Sequence, residues 1–61
     1  MESITAVELA GFSELLTNEE NIIRKYKHYA QTCDDPALKK MCEDIAQRHT
    51  EHYDVILNEL R

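Results

Sequence analysis

The sequence predicts an all-α protein: two helices folded as an antiparallel hairpin, with a second copy expected to complete a four-helix bundle. Three observations carry this expectation. The 61 residues hold one glycine and one proline amid abundant Leu, Ile, Ala, Glu and Lys, which leaves little material for strands or β-hairpin turns. Apolar residues recur at spacings of three and four on both sides of a single break at "TCDDPALKK". A chain this short buries only about 60% of the surface its unfolded form exposes, so a disulfide framework, a metal or a partner chain has to add to a solitary fold.

Within a single domain spanning residues 1–61, helix 1 is expected over about residues 5–32. Thr5 and Glu8 have the spacing of a capping box, in which each side chain satisfies the other residue's backbone N–H. Gly11 costs up to ~1 kcal/mol inside a helix, and a bend or restart near Gly11 to Ser13 is compatible with that cost. The turn falls at residues 33–35. Asp35 is a good N-cap, Pro36 suits the first helical position, where a missing N–H costs nothing, and Asp34 and Asp35 complement the positive end of the dipole. Helix 2 then runs from about residue 36 to 60. Two helices with so short a link lie antiparallel.

The stripe of helix 1 comprises Phe12, Leu15, Leu16, Ile22, Ile23, Tyr26, Ala30 and Cys33, with Glu19 in its middle. That of helix 2 comprises Leu38, Met41, Cys42, Ile45, Ile56 and Leu60, and its gap is filled by His49 and His52. Each apolar seam is thus interrupted once. Counted outward from the turn at about 1.5 Å per residue, Glu19 and the two histidines reach the same level and face each other. An unpaired buried carboxylate costs several kcal/mol, so the layer reads as a hydrogen-bonded pair or as a set of metal ligands.

A lone hairpin leaves much of both stripes uncovered, and two hairpins packed together with two-fold symmetry form a continuous core. Symmetry doubles the layer to two copies of Glu19 and four imidazoles. Imidazole with carboxylate suits Zn, Fe, Mn or Ni and disfavours Ca or Mg.

Composition excludes several other functions. A net charge of −5, from twelve acids against seven Lys and Arg, does not make the basic face that nucleic acid needs. No apolar run approaches the roughly 18 residues of a membrane span, and an acid stands where a secretory signal carries basic residues, so a cytoplasmic chain is expected. No nucleophile with an adjacent base, glycine-rich phosphate loop or Cys-x-x-Cys occurs.

The segments "LLTNEENIIRKY", "DDPALKKM" and "IAQRHTEHYDVIL" resemble the spore-coat protein F family, small bacterial proteins of ferritin-like type, over roughly Leu15 to Leu60. The resemblance places Glu19 at the family's first-helix glutamate and His52 at the histidine of its second-helix Glu-x-x-His. Where that motif has glutamate this chain has His49, so a doubled site holds two carboxylates instead of four. That departure disfavours a ferroxidase-type di-iron centre and leaves a mononuclear or weaker dinuclear site. The resemblance implies a homodimer with a structural or assembly role, deposition in the spore coat, and other coat proteins as partners. Two alternatives stand beside it: a ferritin-like oxidase or peroxidase using the metal with Tyr26 as a redox phenol, and a metal-free helical interaction module.

The remaining polar residues have plainer expectations. His28, among Lys25 and Lys27, belongs to a solvated face, as do Glu20, Arg48, Glu51 and Asp54. Tyr29 and Tyr53 are expected to snorkel at the edges. Cys33 and Cys42, about 9 Å apart along the axis by helical rise, are too offset for an easy disulfide and read as small buried hydrophobes.

Overall fold

The computed structural model describes residues 5–60. Helix α1 spans Ala6–Thr32 and helix α2 spans Pro36–Glu59, and among the described residues there is no strand. The two helices pack side by side as a hairpin measuring 47 × 16 × 10 Å. Among the described residues no helix is long and apolar enough to cross a membrane.

The helix ends follow from local side-chain chemistry. Thr5 Oγ1 accepts from the Glu8 N–H at 3.1 Å, and Glu8 Oε1 accepts from the Thr5 N–H at 3.0 Å, completing the capping box. The Thr5 backbone N–H, followed by its side chain, holds the Glu8 carboxyl below its ordinary pKa. At the other end of α1, Thr32 Oγ1 donates to the His28 carbonyl at 3.1 Å and the Cys33 N–H to the Tyr29 carbonyl at 2.9 Å. Asp35 Oδ1 accepts from the N–H groups of Ala37 and Leu38 at 2.8 and 3.1 Å, with Pro36 in the first turn. Helix α1 is continuous through Gly11 to Ser13, so the restart allowed there does not occur.

Only Ala30 and Ala46 are buried among the described residues, at 6% and 4% exposure. They line one cleft between the helices, and their small side chains let the two backbones approach. Around them runs a half-buried seam that includes Phe12, Leu16, Ile22, Ile23 and Tyr26 of α1, and Cys42, Ile45, His49, Thr50, Tyr53, Ile56 and Leu57 of α2. Because α2 turns Ala46, Thr50 and Tyr53 toward α1, the expected seam residues Leu38 and Met41 fall on its flank and are exposed, as is Leu15 of α1. Cys33 and Cys42 are unpaired and half-buried, not buried as expected, because each sits at the margin of a layer only two helices thick.

The shape leaves surface uncovered. The radius of gyration of 14.5 Å compares with about 10.5 Å for a compact chain of this length.

Candidate metal centre

Glu19 is the central residue of α1, with Ala6–Asn18 before it and Glu20–Thr32 after it. Its side chain is 16% exposed and points across the seam to α2. His49 meets it there: the ring Nδ1 lies 2.7 Å from Glu19 Oε2, and the imidazole is 24% exposed. Paired with a carboxylate oxygen, the ring Nδ1–H takes the donor role. The bond links residues thirty positions apart in sequence, and the equal contour lengths from the turn account for it.

His52 completes the group differently. Its Nδ1 stands 3.9 Å from the same Glu19 oxygen, beyond hydrogen-bond reach, and its side chain is 52% exposed. The His49 and His52 rings sit edge to face with centroids 5.2 Å apart. The sequence pattern places His52 on the packed side; in the hairpin it occupies the rim of the layer, one turn along α2 and rotated toward the flank. One ligand atom from each of the three residues lies within 4.8 Å of the others.

The donor set is one carboxylate oxygen and two imidazole nitrogens, which suits Zn, Fe or Mn. Neighbouring ligands on a tetrahedral ion at ordinary bond lengths stand about 3.3 Å apart. An ion held between Glu19 and His49 therefore replaces their hydrogen bond and parts them by about 0.6 Å, within the reach of side-chain rotation. Such a site takes three ligands from this chain and leaves further positions open.

A second tie joins the helices on the opposite side of the hairpin. Tyr53 O–H donates to Glu20 Oε1 at 3.2 Å, and the bond to the Glu20 carboxylate, reinforced by its charge, raises the Tyr53 phenol above its ordinary pKa. Glu20 is exposed, as its spacing indicates, but it is not free. This pair is not predicted by counting from the turn, since Tyr53 lies about five residues farther along its helix than Glu20 does along α1, and the two long side chains span the offset. Tyr26 is half-buried, with its ring edge-on to Tyr29 at 5.7 Å and Lys25 Nζ 5.8 Å from its centroid. His28, Arg48, Glu51 and Asp54 are all exposed.

Comparison of the chain with protein-family models, curated proteins and solved structures finds no match. The reading of the site therefore rests on its own geometry.

Proposed function

We propose that the chain is the subunit of a small homodimeric four-helix bundle with a structural or assembly role, whose Glu19, His49 and His52 bind one divalent transition metal. One observation carries this reading: a mostly buried carboxylate and two imidazoles from different helices converge within 4.8 Å in a molecule whose only buried residues, among those described, are two alanines. A metal bound to the folded form alone stabilises it by mass action, which is the contribution so small a fold lacks. The resemblance to the spore-coat protein F family supports the assembly role, in a coat layer and against other coat proteins. The test is metal analysis of protein purified without a histidine tag, beside the double variant His49→Ala/His52→Ala. Stoichiometric Zn, Fe or Mn in the wild type, absent from the variant and accompanied by a lower melting temperature, is the expected result. A wild type that stays metal-free in added Zn or Fe(II) removes the site.

A second reading has its own observation. The 2.7 Å hydrogen bond between Glu19 and His49 is complete without an ion, and under this reading the layer is a polar latch that fixes the register of a metal-free interaction module. Unchanged stability on adding Zn, with a loss on breaking the pair, favours the latch over the metal site.

A further inference from the structure

Resting on the homodimer of the proposed function, we infer that the second copy packs on one particular flank of the hairpin, and that the two hairpins run in opposite directions about a two-fold axis perpendicular to their length.

The flank is defined by the exposed large apolar side chains. At about 100° per residue, Leu15 and Tyr29 lie to one side of Glu19 on α1, and Leu38, Met41 and Val55 lie to one side of His49 on α2. In antiparallel helices these two sides form a single face of the hairpin. All five side chains are exposed, as are Val7 on the same side of α1 and Leu9 on the other. The opposite face is different in kind, a cleft floored by Ala30 and Ala46 and walled by Lys27, Gln31, Glu43 and Gln47. Among the described residues, then, the exposed large apolar side chains gather mainly on the first face.

The area fits a second copy. The chain exposes 4827 Å², whereas a compact monomer of 7.1 kDa exposes about 4,100 Å². The excess of about 700 Å² is spread over the elongated hairpin, and it is of the same order as the ~800 Å² that each partner contributes to a standard interface.

Charge decides the direction. The half of the hairpin away from the turn, residues 5–18 and 50–60, contains Glu8, Glu14, Glu51, Asp54 and Glu59 and no Lys or Arg. The half nearer the turn, residues 19–49, contains six acids and six bases, so the charge imbalance lies entirely at the open end. Parallel hairpins would set five unbalanced carboxylates beside five more. Opposed hairpins set the acidic end of each against the half of the other that carries Arg24, Lys25, Lys27, Lys39, Lys40 and Arg48. Because Glu19 is the midpoint of α1, the opposed arrangement also overlaps the full length of both helices and brings the two Glu19–His49 pairs to one level. His52, half-exposed on the same flank, then faces the partner.

The experiment is a distance measurement between spin labels on Thr32→Cys in a Cys33→Ala/Cys42→Ala background whose helicity is checked first. Thr32 is thirteen residues from Glu19, so at about 1.5 Å per residue the labels of opposed hairpins lie about 39 Å apart along the axis. Parallel hairpins keep them at one height, within about 25 Å, two helix diameters. A second arm measures mass in solution. Met41→Glu, on the flank, abolishes the dimer at concentrations where the wild type is dimeric, whereas Thr17→Glu on the outer surface of α1 leaves it intact. A monomeric wild type, a distance of about 25 Å or less, or a dimer indifferent to Met41→Glu overturns the inference. Both arms are run in chelator and in Zn. No metal uptake with the long distance intact would end the metal reading and leave this one standing.

Discussion

Replacing His49 by alanine isolates the central interaction of the fold. The substitution removes the donor 2.7 Å from Glu19 Oε2 and leaves a carboxylate that is 16% exposed without a hydrogen-bond partner, since the nearest other imidazole nitrogen, on His52, stands at 3.9 Å. Breaking a fully buried pair costs about 3–5 kcal/mol, and a hydrogen bond to a charged group contributes about 1.5–3 kcal/mol. His49 is 24% exposed, and His52 needs only a small rotation to approach, so the lower range applies: a loss of about 2 kcal/mol is expected. The double replacement Glu19→Leu/His49→Leu removes both partners and restores the apolar seam, so it should lie within about 1 kcal/mol of the wild type or above it. Urea denaturation in chelator, followed by circular dichroism at one fixed protein concentration, reads both values. A single variant within about 0.5 kcal/mol of the wild type, or a double variant no more stable than the single, would refute the pairing argument.

Three further outcomes follow from the packing. Gly11 is helical with nothing within 4 Å of the Cβ that alanine would add, so Gly11→Ala should stabilise the hairpin by about 0.5–1 kcal/mol, and a melting temperature that fails to rise contradicts it. Ala46 is 4% exposed where the helices approach, so Ala46→Leu should cost about 1–3 kcal/mol by forcing them apart; chemical denaturation showing no loss would mean the helices are not held there. The raised Tyr53 pKa means the protonated phenol is favoured in the folded state. Its contribution to stability is therefore present below the ordinary tyrosine range and is lost as pH rises through the shifted value. Ultraviolet titration should show one phenol ionising late, and that component should vanish in Tyr53→Phe or normalise in Glu20→Gln.

The features legible in the sequence are those that local chemistry or contour length determines. Thr5 with Glu8 and Asp35 with Pro36 mark helix starts because capping acts over three or four residues, and both caps form. The meeting of Glu19 with His49 is legible because a tight turn makes equal counts from the bend equal heights. The orientation of α2 about its own axis is not legible in the same way. A search for large apolar residues weights Leu38 and Met41 and passes over Ala46 and Thr50, yet the seam turns toward the small residues because they permit the closest approach. That rotation also brings Leu57 into the seam and moves His52 to the rim of its layer. The pairing of Tyr53 with Glu20 stayed hidden for a related reason: each residue alone reads as a polar group at an edge, and only the observed rotation joins them.

The most direct test of the metal layer is titration of chelator-treated protein with Co(II), followed by its visible ligand-field absorption. A saturable signal should appear in the wild type, weaken in His52→Ala and be lost in Glu19→Ala/His49→Ala, with Zn competing it away. A wild-type spectrum no different from that of free Co(II) would contradict the metal layer.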